Sequence, residues 1–485
     1  MALEAILVLP LLGGAVIAVG RGHRSAAWVG VAANAGALII GMATAVRVVR
    51  HGSISGAGGL LRADALSVFM VIVIGAISLL ASWLGIRTMA REQEETSGLR
   101  ARATVYAVLV QGFVACMLLA VLAANVGVLW VAVEATTIVT AFLVGHRRTR
   151  GSLEASWKYI VICSVGIGLA FLGTVLVYLA ALHAGGHSAD ALNWTSLVAH
   201  AHRFNPSLMR LAFALLVLGY GTKVGLAPMH SWLPDAHSQA PAPVSALMSG
   251  VLLTVAFYAI LRFKAVADLS LGPGFARTLL VIAALLSLAV AASLLITQRD
   301  YKRMLAYHSI EHMGLITLGA AAGIRLAIAA VLLHILGHGL AKSVLFLTSG
   351  EIMAVEGTSE IDGVRALLAR RPALGGLFGM GLVALLGLPP FSLFTSELVM
   401  IRAEFAVGLG WAAVLAMVAM VVIFIAVVGH ARHMLLGPSP APASPSPPRW
   451  VAAPLIGGLA VCAGIGVFAW PLSGLLQAAA RVVAT

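Results

Sequence analysis

Two lysines, Lys223 and Lys342, sit inside otherwise apolar runs of the chain, and so do two acids, Glu134 in LWVAVEATTIV and Glu397 in GLPPFSLFTSELVM. A charge at the centre of a lipid-embedded helix costs on the order of 3 kcal/mol, so it persists with a role or a partner. Lysine suits proton exchange, because desolvation penalises its ammonium and a small movement of a counter-charge then loads or unloads the proton. Two acids and two bases in such surroundings point to a proton relay. Static ion pairs that fix helix packing are the structural alternative.

Histidine is dense nearby: His308, His312, His334 and His338. His334 and His338 share a helical face with Lys342 one turn further along, three titratable groups over roughly 12 Å of helix. Imidazole passes protons near neutrality. An i, i+4 pair also suits zinc, but no HExxH glutamate or third ligand accompanies this one in the sequence. A bis-histidine haem needs a matching pair on a second helix, and none is evident. The residues leave relay, packing and metal open; those absences favour the relay, with neither metal nor cofactor expected in the chain.

Two segments carry helix breakers within apolar surroundings: Gly225 and Pro228 in KVGLAPMHSWLPDAH, and Pro389 and Pro390 in LGLPPFS. Either alone reads as a proline kink. Interrupted helices in corresponding positions of two halves point instead to a transport site, because the freed backbone groups must face water or protein.

The elements that must position these residues follow from composition. Of 485 residues, 61% are hydrophobic and only 10% charged, far from the soluble average of about a quarter charged. At about 20 apolar residues per crossing, the chain reads as an all-α integral membrane protein of about 14 transmembrane helices. They are expected near 3–20, 27–46, 64–86, 103–121, 124–144, 156–182, 207–227, 243–263, 277–297, 304–322, 326–349, 373–404, 411–435 and 451–475. Spans 4–8 and 9–13 form two series of five, each with its broken helix fourth, which predicts two inverted repeats. The division expected is 1–100, an N-terminal three-helix segment; 101–265 and 266–436, the two repeats; 437–449, a Pro-rich linker; and 450–485, a C-terminal helix. The first apolar stretch is read as a retained span rather than a signal peptide, lacking a basic region before it.

The net charge of +13 comes mostly from short loops. Loops after odd-numbered spans are the more basic, with Arg21, Arg91, Arg147, Arg148, Lys302, Arg370 and Arg371 among them. The positive-inside rule then places both termini on the outer face, most simply of a prokaryotic plasma membrane. No soluble basic domain exists to hold nucleic acid. Cys116, Cys163 and Cys462 lie in apolar runs without CxxC spacing, against a disulfide framework or an iron–sulfur site. Any redox chemistry therefore belongs to partner subunits.

At this point several long strings resemble one family. KVGLAPMHSWLPDAHSQAPAPVSALMSG (223–250), RDYKRMLAYHSIEHMGLI (299–316), HILGHGLAKSVLFL (334–347) and GLPPFSLFTSELV (387–399) are similar, in order, to motifs of the antiporter-like proton-conducting subunits of respiratory complex I, Mrp-type cation/proton antiporters and membrane-bound hydrogenases. The resemblance covers roughly 60–435. It implies fourteen helices with two inverted five-helix repeats, Glu134 and Lys223 as the acid–lysine pair of a first half-channel, His312, His338 and Lys342 as a central polar axis, and Glu397 on the exit side. It also implies other membrane subunits and peripheral redox subunits as partners. The sequence departs from the family at Thr254, where a lysine is usual; a hydroxyl holds a water but stores no charge. Glu311, in IEHMG, stands where complex I members carry a small or polar residue and leans toward the F-type subunit of hydrogenase complexes. The expected function is proton translocation through a Glu/Lys/His relay. The alternatives are a subunit of a Na⁺/H⁺ antiporter or inorganic-carbon uptake complex, and a proton-silent membrane anchor for a peripheral enzyme.

Overall fold

A computed structural model of the chain describes residues 1–20, 24–95, 100–186, 190–437, 448–468 and 470–484. Most of the Pro-rich linker and loop residue Arg21 lie outside the described residues, as does the side chain of Arg91. Long apolar segments leave helix as the structure that pairs every backbone group internally, and helices dominate: α1 (Ala2–Val19), α2 (Arg24–His51), α3 (Ala65–Glu95), α4 (Arg100–Leu122), α5 (Val126–Val144), α6 (Arg150–His183), α7 (Trp194–His200), α8 (Pro206–Val224), α9 (Trp232–Gln239) and α10 (Ala242–Leu247). A π-helical turn, Met248–Leu252, joins α10 to α11 (Leu253–Leu271). There follow α12 (Pro273–Leu295), α13 (Tyr301–Ala322), α14 (Arg325–Glu356), α15 (Leu367–Arg370), α16 (Pro372–Leu385), α17 (Ser392–Ala406), α18 (Gly410–Leu435), α19 (Arg449–Val467) and α20 (Trp470–Val483). One short hairpin, β1 (Ile54–Gly56) antiparallel to β2 (Leu61–Ala63), interrupts the all-helical pattern between α2 and α3.

Side-chain caps start the helices where the sequence supplies them. Asn125 accepts from the Gly127 N–H at 2.7 Å, Asn205 from Ser207 and Leu208, and Asp300 from Arg303 at 2.8 Å. Such caps satisfy amides that have no intrahelical partner.

Among the described residues, twelve helices are long and apolar enough to cross a membrane. The two expected spans missing from that set have a physical reason in common with function. The 304–322 span is α13, whose apolar character is diluted by Lys302, Arg303, His308, Glu311 and His312. The 373–404 span is not one helix but two, α16 and α17, of 14 and 15 residues, separated at the double proline. The last expected span, 451–475, ends at Val467, and α20 follows as a separate helix packed against α3 and α14.

The helices sort by burial. The π-turn with α11, α13 and the 32-residue α14 are buried nearly all round and form the centre. α12, α18 and α19 expose apolar faces such as Ile282, Val418 and Ile425, as lipid-facing helices must. α6 and α8 meet closely at Gly219, where a Cβ would stand 2.5 Å from the Ala170 amide nitrogen. Small residues allow this backbone contact between apolar helices, and it sets Tyr159 of α6 beside Lys223 of α8. A second tie is electrostatic: Arg262 of α11 pairs with Asp64 at 2.6 Å and donates to Ser67 and Tyr258, pinning α11 to the start of α3.

Candidate functional site: a buried file of titratable side chains

Both expected breaks are present. α8 ends at Gly225, in the left-handed conformation at φ 80°, with the Leu226 N–H returned to the Gly221 carbonyl at 2.9 Å. A side chain at Gly225 would also meet Leu233 at 2.4 Å, so glycine is required twice over. The chain then crosses Pro228 before restarting as α9. In the second half α16 stops short of Gly387, at φ 63°, and α17 restarts after Pro389 and Pro390. Ala227–Pro228 and Pro389–Pro390 are both cis.

Lys223 lies in the last turn of α8, fully buried, one residue pair ahead of the break. Its ammonium donates to the Tyr159 hydroxyl at 2.8 Å, with Nζ 4.9 Å from the ring centroid. Glu134 is not its hydrogen-bond partner. That carboxylate accepts from Thr137 at 3.0 Å and is half-buried, lining an open groove of ≈ 740 Å³ between α4, α5 and α6, close enough to act on Lys223 electrostatically. Of the expected acid–lysine pair, Lys223 is therefore hydrogen-bonded to Tyr159, and Glu134 stands apart in the groove wall.

In the second half the polar groups converge on the contact between α13 and α14. Lys342 donates to the Leu305 carbonyl at 2.5 Å. The His312 ring is the hub: its centroid lies 4.7 Å from that of His308, 5.0 Å from that of His334 and 5.1 Å from that of His338. His312 Nδ1 and His334 Nε2 are 2.9 Å apart, and His334 Nδ1 is 2.9 Å from the Ser396 hydroxyl on α17. Beside Ser396, Glu397 folds back on the break, so tightly that a Cβ on Gly387 would stand 2.2 Å from its Oε2. His308, Glu311 and Glu397 border one cavity of ≈ 180 Å³.

His334, His338 and Lys342 stack along α14 as their spacing implies. The expectation that no matching histidine pair stands on a second helix is corrected, although among the described residues no donor group holds His334 and His338 together. His308 and His312 form that pair one helix away, and Glu311 and Glu397 complete two groups of three donors, His308–Glu311–His312 and His312–His334–Glu397. The i, i+4 spacing of His308 and His312 is legible in the sequence; what the separation of 22 residues between His312 and His334 conceals is that the two pairs pack together, since a single sequence shows neighbours along a helix and not across helices.

Several residues of the file were missed. His237 of α9 stacks on Phe346 at 4.9 Å and lies within electrostatic reach of Lys342. Lys302, counted among the loop cations, is fully buried and donates to the carbonyls of Ser238 and Ala240 at 2.9 and 2.7 Å, holding the end of α9 against α13. The Ser249 and Ser309 hydroxyls meet at 2.9 Å where the π-turn faces α13. Thr254, by contrast, spends its hydroxyl on the Gly250 and Val251 carbonyls of its own helix. Both ring nitrogens of His237 and His338, and Nε2 of His312, make no hydrogen bond to protein among the described residues. Buried polar atoms of this kind are satisfied by ordered water.

Against known proteins, residues 123–423 match the family described as NADH:quinone oxidoreductase/Mrp antiporter, TM. The chain belongs to this family. It is an integral, multi-pass, antiporter-like membrane subunit of the kind found in complex I, Mrp and membrane-bound hydrogenase assemblies. It is 39% identical over 353 residues to the hydrogenase-4 component F homolog of Methylacidiphilum infernorum, covering 72% of this chain and 73% of that one. Of the other curated relatives, the chain spans between about a third and little more than half of the length. Its fold is similar to a chain of the membrane-bound sulfane sulfur reductase, an archaeal respiratory membrane complex, with TM-score 0.88 at 24% identity over 99% of this chain and 97% of that one. A chain of the Mrp complex from Dietzia sp. gives 0.85 at 21% identity over 100% and 98%. The matched segment holds all seven side chains expected to relay protons and both breaks.

Proposed function

We propose that this subunit carries protons across the membrane through the file Glu134, Tyr159–Lys223, His237, Lys342–His338, His312, His334 and Glu397. The observation that carries the reading is the run of contacts from His338 through His312 and His334 to Ser396, with Lys342 one turn along α14 from His338 and Glu397 next to Ser396, set in the otherwise apolar centre of the fold. Neutral imidazoles in contact hand a proton on by exchanging donor and acceptor roles. Water at the unpaired ring nitrogens closes the remaining gaps, and the broken helices bring polar backbone to the same level. Thr254 adds no charge to this route, and His237 is placed to take up the stretch between Lys223 and Lys342.

Glu134 sits in the wall of an open groove, where a charged group on an adjoining subunit can alter it and so load or unload Lys223. By analogy with hydrogenase-4 component F and the sulfur reductase complex, those partners are further membrane subunits and a peripheral redox module, with no redox cofactor in this chain. The division at 101–265 and 266–436 into inverted halves, both termini outside, and residence in a prokaryotic plasma membrane belong to the same proposal. The direct test is proton flux into vesicles loaded with a pH dye. Lys223→Ala is expected to abolish flux while assembly persists, and full flux in that variant would remove the core of the reading.

A further inference from the structure

We infer that the α13 cluster is also a binding site for a divalent transition-metal ion of the Zn²⁺ class, with His308, Glu311 and His312 as its ligands. Three observations point the same way. The spacing i, i+3, i+4 places one carboxylate and two imidazoles on a single face of α13, and their donor atoms lie within 4.8 Å of one another. All three side chains are buried, His308 and His312 at 1% exposure and Glu311 at 4%. Donors are also free: neither ring nitrogen of His308 nor Nε2 of His312 makes a hydrogen bond among the described residues, and the Glu311 carboxylate stands 2.8 Å from His308 Nδ1 without hydrogen-bond alignment.

Zinc takes imidazole nitrogen and carboxylate oxygen at about 2.0–2.2 Å, which sets tetrahedral donors about 3.3 Å apart. Closing the present separations to that value asks for rotation of side chains on one rigid helix, with no movement of backbone. The adjoining cavity of ≈ 180 Å³, which His308 and Glu311 both line, leaves room for a water in the fourth position, a water needing about 30 Å³. One carboxylate offsets half the charge of the ion, and Glu397 on the far wall of the cavity is a second counter-charge. Softness decides the class of metal: two imidazoles with one carboxylate suit Zn²⁺ and its neighbours, whereas Mg²⁺ and Ca²⁺ ask for an all-oxygen shell.

Binding there would tie up an imidazole nitrogen of His312, the hub of the proposed file, so zinc would block the proton route. That consequence rests on the proposed relay; the site itself does not. The test uses the full chain purified in detergent and equilibrated against buffered free Zn²⁺, with bound metal counted by elemental mass spectrometry and its ligands read from zinc-edge X-ray absorption. Expected is one Zn²⁺ per chain with two imidazoles and an oxygen ligand. Glu311→Gln and His308→Ala, each checked for monodispersity and unchanged helicity, should weaken that binding at least tenfold. A wild-type chain that takes up no more zinc than the well-folded Glu311→Gln variant, or a spectrum without imidazole scattering, would overturn the site. Stoichiometric zinc that leaves proton flux untouched would instead count against the relay through His312 and leave the site standing.

Discussion

Replacing His312 by leucine removes the imidazole that stands between His308, His334 and His338 and keeps a side chain of comparable bulk at a position with 1% exposure. Two costs follow. His334 Nε2 loses its neighbour at 2.9 Å, and a buried polar atom left unsatisfied costs about 1–3 kcal/mol of stability. The proton loses its only imidazole bridge in the described structure from the Lys342–His338 side to His334 and Ser396. A positioned acid–base group contributes roughly 10²–10⁴-fold to proton transfer, so flux should fall at least about 100-fold, equivalent to about 2.7 kcal/mol of barrier. Stopped-flow acidification of dye-loaded proteoliposomes measures this, with the amount of folded subunit in each preparation set by size-exclusion profile. His334→Leu interrupts the same file one step later, and groups acting as a unit are strongly non-additive. The double variant should therefore lose no more than either single one. Flux within twofold of wild type in a well-folded His312→Leu chain, or losses in the double variant that multiply, would refute a single file through His312.

Tyr159→Phe removes the hydroxyl that accepts from Lys223 at 2.8 Å; a hydrogen bond to a charged group is worth about 1.5–3 kcal/mol, and flux should drop about tenfold or more in the same vesicles while Lys223 remains. Gly387→Ala forces a side chain onto a backbone at φ 63° and into Glu397, at a strain of about 1–3 kcal/mol; thermal melting in detergent should show the loss, and flux should fall with the displaced carboxylate. Arg262→Met strands Asp64, its partner at 2.6 Å, and breaking such a pair costs about 3–5 kcal/mol. It should lower the melting temperature while flux per folded subunit stays near wild type, and a flux loss without destabilisation would place Arg262 in the relay instead of the scaffold.

Much of this molecule follows from its sequence alone. Long uninterrupted apolar runs in a 61% hydrophobic chain dictate helices in lipid, because such a run satisfies its own backbone there only as a helix, whereas barrel strands are short and alternate in polarity. Gly225, Pro228 and the Pro389–Pro390 pair mark the interruptions, because they act on the local backbone whatever surrounds it. Lys223, Lys342, Glu134 and Glu397 announce themselves by the cost of their burial. What lies across helices did not show. His308 and His312 meet His334 and His338 only because α13 and α14 pack side by side; Tyr159 reaches Lys223 only because Gly219 lets α8 close on α6; and Lys302 reads as a loop cation until α9 folds over it. Local conformational rules reach about one helical turn along the chain. Partners that contact one another between helices far apart in sequence are set by packing, and only the tertiary structure decides them.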